Sequence, residues 1–221
     1  MTAKIVIVDD HPVFREGLVA LINQDVRFEV VGETAGAKEA LKLVRSLAPD
    51  AVIVDLTLAE GSGLQLIKSL RHEGCRAKLL VVSMHDDMVF AERALRAGAN
   101  GYINKEQAAD KVLTALSEVL NGDVYLDKSV SAYILNRQFS TNGHDDRPED
   151  VLSDRELEVF GFLGHGLSSR EIADKLYLSY KTIDSHREHI KSKLGLRNNA
   201  KLIQRAVEWA MLSDSPRKND R

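Results

Sequence analysis

The strongest constraint on the fold is a regular alternation within the first 120 residues, where short β-branched segments alternate with longer amphipathic ones. The segments predicted as strands are residues 4–8, 28–32, 51–54, 78–82 and 101–103. The segments predicted as helices are residues 12–23, 37–47, 63–72, 88–97 and 107–120. Strands that alternate with helices form a parallel sheet covered on both faces. We therefore expect an α/β, doubly wound, five-stranded parallel sheet.

The pattern changes after residue 122. One further helical pattern covers residues 127–139, and the polar stretch that follows, with Gly143 and Pro148, predicts a flexible linker. A small all-α domain is then predicted, with helices at 154–163, 169–176, 180–194 and 199–211. The expected organisation is a first domain at 1–122, a linker at 123–150, a helical domain at 151–212 and a disordered tail at 213–221.

Charge is distributed unevenly between the two predicted domains. The whole chain carries a net charge of −3, but residues 1–150 have 17 basic and 23 acidic side chains, whereas residues 151–221 have 13 and 10. A basic second half can bind a phosphate backbone. The same excess also fits a well-solvated surface, so charge alone leaves both interpretations open.

Several protein classes are excluded or disfavoured by composition. The single cysteine, Cys75, allows neither an intramolecular disulfide nor a zinc cluster built on cysteines. The N-terminus lacks the features of a signal peptide, and no segment approaches the roughly 20 apolar residues of a membrane helix. We expect a cytoplasmic protein that does not associate with a membrane.

Polar residues follow four of the five predicted strands. Asp9 and Asp10 follow the first strand, Asp55 the third, Ser83 the fourth, and Lys105 lies just beyond the fifth. The carboxyl ends of parallel strands share one edge of the sheet, which is where such folds bind ligands. The five side chains are therefore predicted to converge, although they span almost a hundred positions.

The chemistry of this set fits phosphoryl transfer. Clustered carboxylates repel one another unless a cation lies between them, and hard oxygen ligands suit Mg²⁺. A carboxylate can also act as a nucleophile, while Lys105 and Ser83 supply a cation and a hydroxyl for phosphoryl oxygens. Taken singly, each residue has a simpler interpretation, because Asp often caps helices, Lys is usually solvated and Ser is common in turns.

Residues 1 to about 122 resemble the receiver domain of bacterial two-component response regulators, which implies that the sheet is flavodoxin-like. The matching segments are Val8-Asp9-Asp10-His11, Val54-Asp55-Leu56, Ser83-Met84-His85 and Gly101-Tyr102-Ile103-Asn104-Lys105. The resemblance implies that Asp55 accepts a phosphoryl group from a sensor histidine kinase. It also implies that Asp10, Asp55 and the backbone carbonyl of Thr57 coordinate Mg²⁺ directly, with Asp9 acting through water.

The resemblance assigns two further residues to the switch. Ser83 is expected to turn toward the phosphoryl group, and Tyr102 to change rotamer, which alters the face formed by the fourth helix, the fifth strand and the fifth helix. Leu58-Ala59 replaces the Met-Pro that receivers commonly carry after the acceptor, whereas Gly63, eight positions after it, fits the receiver pattern. The change removes no ligand atom, so the chemistry is expected to persist beside a looser loop.

Residues 152–196 contain two short helical segments joined by a tight turn, the second of them basic. This arrangement fits a helix-turn-helix, although helix pattern alone also fits a small protein-interaction bundle. Ser153 or Asp154, and later Ser168 or Ser169, are predicted helix caps. The segment resembles the LuxR-type helix-turn-helix of the NarL/FixJ subfamily, most visibly in Glu171-Ile172-Ala173, Lys181-Thr182-Ile183 and Lys193-Leu194-Gly195.

The second helix of this motif, residues 180–194, is the predicted recognition helix. Its solvent face and flanks supply the candidate DNA contacts, which are Arg170, Lys181, Thr182, Asp184, Ser185, Arg187, Glu188 and Lys191. Trp209 is expected to anchor the last helix, and Ile203 and Val207 form a candidate dimer surface. A dimer would read two half-sites about 34 Å apart, or a multiple of that spacing.

Three functions compete at this point. The first is a transcription regulator whose DNA binding and homodimerisation depend on phosphorylation. The second is a regulator that uses the receiver only for dimerisation, against which the complete acidic and basic set argues. The third is a phosphatase with Asp55 as nucleophile, although the chain shows no substrate-binding lid. We favour the first and expect no enzyme activity beyond the chain's own phosphotransfer and dephosphorylation.

Overall fold

The computed structural model describes residues 2–58, 61–84, 88–139 and 147–214. The chain divides into two compact units, Met1–Ile134 and Leu135–Arg221. The boundary between the units falls inside the predicted linker at 123–150, so that segment contributes to both. In the described ranges, no helix combines the length and the apolar content that crossing a membrane requires.

The first unit contains a parallel sheet of five strands in the order β2-β1-β3-β4-β5. Its strands are β1 (Ala3–Val8), β2 (Phe28–Thr34), β3 (Ala51–Val54), β4 (Lys78–Ser83) and β5 (Gly101–Asn104). Its helices are α1 (Pro12–Asn23), α2 (Ala37–Leu47), α3 (Gly63–His72), α4 (Met88–Ala97) and α5 (Ala108–Asn121). The predicted doubly wound fold is confirmed. Several strands run past their predicted ends because backbone pairing continues into polar residues, as in the pair Ser83 and Asn104.

The core of this unit lies on both faces of the inner strands. Ile5 and Ile7 of β1 belong to an apolar cluster with Leu18 of α1 and Val112 of α5. Successive side chains of a strand point to opposite faces, so Val6 is buried on the other side. This double burial explains why the strand sequences are continuously apolar rather than alternating.

The edge of β5 is partly covered by residues that follow α5. The Tyr125 amide donates to the Asn100 carbonyl at 3.0 Å, and the Tyr102 amide donates to the Tyr125 carbonyl at 3.0 Å. The Lys111 ammonium also donates to Asp127 at 2.6 Å. The first unit therefore extends beyond residue 122, because these bonds satisfy backbone groups that an edge strand leaves open.

Helices are the only regular secondary structure among the described residues of the second unit. After α6 (Lys128–Phe139), which crosses the boundary, its helices are α7 (Pro148–Val151), α8 (Asp154–Gly164), α9 (Ser169–Lys175), α10 (Tyr180–Lys193) and α11 (Asn199–Asp214). The short α7 was not predicted, and Pro148 at its first helical position favours it. The polar linker residues 140–146, and residues 215–221 of the predicted tail, lie outside the described residues.

Helix caps define the starts of α8 and α9. The Ser153 side chain accepts from the Glu156 amide while the Glu156 carboxylate accepts from the Ser153 amide, and Ser168 and Glu171 repeat this reciprocal pair. Such a capping box satisfies two backbone donors that the helix itself leaves unpaired. The predicted caps at Ser153 and Ser168 are therefore present.

The last helix is anchored through Trp209. Its indole is 5% exposed, its ring lies 5.7 Å from the Phe160 ring between centroids, and its Nε1 donates to Glu149 at 2.9 Å. The predicted anchoring role is confirmed by this geometry. The same contact brings α11 close to α8, where Gly164 faces the backbone of α11.

Replacement of Gly164 by alanine is expected to destabilise the second unit. The added Cβ would lie 2.5 Å from the Ala206 carbonyl oxygen and 2.9 Å from the Ala210 Cβ, so the helices must separate. A loss of about 1–3 kcal/mol in unfolding free energy is expected, as for other overpacked sites. Trp209, the one tryptophan of the chain, reports this unit selectively by fluorescence during urea unfolding.

Gly161→Ala in the same helix provides the matched control. Its Cβ would meet only a Trp209 ring atom at 3.5 Å, an ordinary contact, and alanine favours a helix interior. The variant should match or exceed the stability of the unmodified protein. Equal effects of the two substitutions would contradict the close approach of α8 and α11.

Candidate functional site

The register of the inner strands brings two carboxylates together. Val8 of β1 is paired with Val54 of β3, and the Asp55 amide donates to the Val8 carbonyl at 2.8 Å. The next residues, Asp9 and Asp55, therefore leave the sheet side by side, and each is 2% exposed. This placement follows directly from parallel pairing and matches the predicted convergence.

Lys105 lies between these two carboxylates. Its ammonium is 2.7 Å from Asp9 Oδ2 and 2.6 Å from Asp55 Oδ2, and its side chain is 4% exposed. The ammonium also lies 4.6 Å from the centre of the Phe14 ring. A short 3-10 turn carries Lys105 out of β5, and its start is fixed by Asn104, whose side chain accepts from the Glu106 amide at 2.8 Å.

Asp10 differs from its neighbours because its carboxylate is buried without a hydrogen bond. Both of its oxygens lack such a partner in the described part of the chain, and its side chain is 2% exposed. His11 Nδ1 lies 2.8 Å from Asp10 Oδ1, a short ionic distance without hydrogen-bond geometry. Buried carboxylate oxygens are costly unless something compensates them, so Asp10 has open capacity for a cation.

Four side chains at this edge could hold a metal ion. One ligand atom from each of Asp9, Asp10, His11 and Asp55 lies within 4.8 Å of the others. With the carboxylates ionised, three negative charges face one Lys105 ammonium, which leaves a deficit equal to one divalent cation. Oxygen-rich sites of this kind favour Mg²⁺ over softer metals.

Burial raises the pKa of Asp55 from its ordinary value of 3.8 to about 6. Loss of solvation is the largest cause. The Lys105 ammonium lowers the pKa and the Asp9 carboxylate raises it again, so the attraction of Lys105 does not offset burial. Ionisation of Asp55 therefore lowers the stability of the folded protein. The ionised carboxylate is still the prevailing form at neutral pH.

The remaining predicted receiver residues lie on β4 and β5 or just after β3. The Thr57 amide donates to Asp55 Oδ1 at 3.2 Å, Ser83 is fully buried at the end of β4, and Tyr102 is 5% exposed on β5. Leu58, one of the two departures from the receiver pattern, is fully buried, whereas its neighbour Ala59 lies outside the described residues.

Sequence reasoning did not anticipate the parts played by His11, Phe14 and Gly63. Gly63 fits the receiver pattern by position, but its physical role is steric. A Cβ there would overlap the Asp55 carbonyl oxygen and lie 2.7 Å from the Leu56 Cα. Glycine thus allows α3 to begin directly against the strand end that carries Asp55.

The candidate DNA contacts divide into two groups. Arg170, Lys181, Ser185 and Glu188 are exposed, whereas Thr182, Asp184, Arg187 and Lys191 are partly buried. The second group departs from the simple solvent face that helical spacing predicts. Two of its members contact other side chains of the unit: Arg187 donates to Ser169, and the Lys191 ammonium lies 2.9 Å from the Glu188 carboxylate.

Two ion pairs that the sequence did not reveal connect α8 to the other two helices of the helix-turn-helix unit. Lys193 donates to Glu156 at 2.7 Å, which joins the end of α10 to the start of α8. Arg155 donates to Glu158 at 2.6 Å and to the Leu176 carbonyl at 2.9 Å, which joins α8 to the end of α9. The carboxylates of Glu156 and Glu158 are about 6–7% exposed, so both pairs are partly desolvated.

Asp55→Asn is expected to gain stability over the unmodified protein as pH rises in metal-free buffer. The folded-state pKa of about 6 exceeds the ordinary value, so the folded protein holds a proton that the unfolded chain releases between about pH 4 and 6. Stability from this group is therefore lost as pH rises through that window. The difference between variant and wild type should reach about 2–3 kcal/mol above pH 6 in urea unfolding.

Asp25→Asn supplies a control of opposite sign. Hydrogen bonds from Arg27 lower the pKa of Asp25 to about 2, so its stabilising effect is lost as pH falls from about 4 toward 2. A difference between Asp55→Asn and wild type that stays constant from pH 4 to 7 would contradict the buried-charge interpretation.

Comparison with known proteins agrees with both halves of this picture. Residues 5–117 match the response regulator receiver domain family, and residues 150–206 match the bacterial regulatory proteins of the luxR family. The chain is 35% identical over 215 residues to the oxygen regulatory protein NreC of Staphylococcus aureus strain JH9, which covers 95% of this chain and 99% of that protein.

Two solved structures extend the comparison. A LuxR-family two-component response regulator from Aurantimonas sp. SI85-9A1 is 34% identical with a TM-score of 0.59, covering 63% of this chain and all of that one. RcsB of Salmonella enterica serovar Typhimurium, bound to promoter rprA with the phosphomimetic BeF3⁻, is 27% identical with a TM-score of 0.62, covering 94% and 99%. The chain thus belongs to the two-component response regulators that join a receiver domain to a LuxR-type helix-turn-helix DNA-binding domain.

Proposed function

We propose that a sensor histidine kinase phosphorylates Asp55 and that this modification controls homodimerisation and DNA binding in the cytoplasm. One observation carries the proposal: a buried carboxylate with a raised pKa lies beside a cation, Lys105, and beside an unsatisfied acidic group, Asp10. A purely structural site would gain little from this arrangement, since its charges are incompletely paired.

The acidic cluster fits a resident Mg²⁺ ion. Asp10, Asp55 and the Thr57 carbonyl would hold the ion directly, and Asp9 through water, consistent with the unsatisfied oxygens of Asp10. The bound ion would supply positive charge to the phosphoryl oxygens. His11 is the weakest candidate in the cluster, because Mg²⁺ prefers oxygen to imidazole nitrogen.

The side chains of this protein account for the transfer itself. An Asp55 carboxylate oxygen attacks the phosphorus of the kinase phosphohistidine, a new O–P bond forms, and the P–N bond breaks with its electrons returning to the imidazole. Lys105 supplies a cation and Ser83 a hydroxyl for the phosphoryl oxygens. Lys105 can exchange its bond to Asp55 for one to the phosphoryl group, which frees the acidic edge to rearrange.

The output follows from a shift between two populations. Phosphorylation favours the conformation in which Ser83 has turned toward the phosphoryl group and Tyr102 has changed rotamer. A dimer then presents two copies of α10 to double-stranded DNA. Ile203 and Val207 of α11 are candidate dimer contacts, and Ile203 is 44% exposed. Each α10 would enter the major groove, where Lys181 and Ser185 are exposed for contact with the DNA.

Acetyl phosphate or beryllofluoride with Mg²⁺ should modify the protein and raise its affinity for DNA. Asp55→Asn should abolish phosphoprotein formation on phosphate-affinity gels, because the acceptor carboxylate is lost. Asp10→Asn should retain the fold but require at least tenfold more Mg²⁺, since it removes a charged ligand. Asp110→Asn, on the exposed surface of α5, is the matched control and should behave like wild type.

Two outcomes would count against phosphorylation control. An Asp55→Asn protein that dimerises and binds DNA in response to the same reagents would remove Asp55 from the switch. Steady-state turnover of phosphoesters in excess of protein would instead favour the phosphatase interpretation.

Lys181→Ala should weaken DNA binding and flatten its dependence on salt. Each lost phosphate contact reduces the slope of log affinity against log salt by about 1. Lys42→Ala, an exposed lysine of α2 in the first unit, is the control and should leave the slope unchanged. Fluorescence anisotropy over about 50–200 mM salt measures both, and equal slopes for all three proteins would remove Lys181 from the interface.

A further inference from the structure

Three helices of the second unit end in the same backbone motif. The residues that follow the caps of α8, α9 and α10 have positive φ angles, 82° at Gly166, 51° at Tyr177 and 63° at Gly195. The next amides, those of Leu167, Leu178 and Leu196, donate to carbonyls five residues earlier at 3.0, 2.9 and 2.8 Å. This is the Schellman motif, in which glycine is the usual residue at the left-handed position.

Tyr177 is the exception to the use of glycine at this position. A Cβ disfavours the left-handed region, so tyrosine makes this helix end less stable than glycine would. Among the described residues other than glycine, only Ala48 and Tyr177 adopt positive φ. The helix-turn-helix thus carries a large side chain at a position that its own backbone disfavours.

The Tyr177 side chain contributes little to the stability of the second unit. It is 59% exposed, and within the described ranges it makes no hydrogen bond, ion pair or ring contact. Tyr180, three residues later, is 52% exposed and likewise unpartnered among those residues. Two solvated rings therefore flank the start of α10, and packing explains neither.

The location of the two rings indicates what they contact. Tyr180 is the first residue of α10, and the N-terminal part of a recognition helix is the part that meets DNA. The exposed cations Lys181 and Arg170 lie in the same helix-turn-helix, so the surroundings favour a polyanion. A tyrosine combines an apolar ring with a hydroxyl donor, which suits deoxyribose and phosphate together.

We propose that Tyr177 and Tyr180 form a non-ionic contact to the DNA sugar–phosphate backbone at the start of the recognition helix. Their hydroxyls donate to phosphate oxygens while the rings cover deoxyribose. Tyrosine at the left-handed position lowers the stability of the end of α9, but it places a ring and a hydroxyl at the turn, where they raise the affinity for DNA. This inference rests on the proposed DNA-binding function. It adds two uncharged residues to the DNA contacts, which a search for Lys and Arg does not find.

Tyr177→Gly separates the two effects because they have opposite signs. Relief of the left-handed strain should raise the midpoint of thermal unfolding, read from Trp209 fluorescence, by about 3–6 °C. DNA affinity of the full-length protein should nevertheless fall about fivefold to twentyfold. The probe is a labelled duplex of about 40 base pairs, recovered by the wild-type protein from a random pool in beryllofluoride and Mg²⁺.

Three further variants sharpen the test. Tyr177→Phe keeps the ring and should lose only part of the affinity, and Tyr180→Ala should weaken binding while leaving the turn intact. Ala48→Gly relieves the same type of backbone strain in the first unit and should leave DNA affinity unchanged. The salt slope should stay equal to wild type in every case, because no charge is removed, unlike in Lys181→Ala.

The outcomes distinguish this inference from the function on which it rests. If wild-type protein binds the duplex in a salt-dependent manner but Tyr177→Gly and Tyr180→Ala bind equally well, the inference is wrong and the proposed function stands. Unchanged DNA affinity with reduced transcription in vitro would assign the rings to a protein partner and would also overturn it. A wild-type protein that selects no duplex at all would instead refute the proposed function.

Discussion

The site depends on one electrostatic constraint, the burial of the Asp55 carboxylate beside Asp9. Loss of solvation raises the pKa of Asp55, and the Lys105 ammonium at 2.6 Å only partly offsets this effect. Three features fix the position of this carboxylate. The Asp55 amide is bonded to Val8, the Thr57 amide donates to the carboxylate, and Gly63 lets α3 begin directly against the strand end. A group held this way responds strongly when a cation or a phosphoryl group changes the local charge.

The sequence predicts the site residues whose positions are determined by backbone geometry. It does not predict those whose positions depend on side-chain geometry. Parallel strands end at a common edge, so the sequence predicts that Asp9, Asp55 and Lys105 lie close together. The bridging position of Lys105 and its contact with Phe14 depend on rotamers, which sequence spacing does not encode. Gly63 could be recognised only through the receiver resemblance, because its role is to leave room for the backbone of Asp55 and Leu56.

The helical unit shows the same division. The cap of α8 is a local pattern, and the sequence narrowed it to Ser153 or Asp154; the structure shows the reciprocal pair of Ser153 and Glu156. The pair formed by Lys193 and Glu156 joins residues 37 positions apart, and such a contact has no signal in helical periodicity. Partial burial of Arg187 has the same origin, because its partner Ser169 belongs to a different helix. Local rules therefore predicted the helices but not the way the recognition helix is held.

Both units carry local costs at positions for which we propose binding roles. Asp10 is buried with unsatisfied oxygens, and Tyr177 adopts a backbone conformation that favours glycine. The two costs differ in kind, since the first is electrostatic and is relieved by a bound cation, whereas the second is conformational and persists in the free protein. A folded domain retains such features when the rest of its core supplies enough stability. Departures from good packing and pairing are thus informative at these two positions, because Asp10 marks the proposed cation site and Tyr177 the proposed contact with DNA.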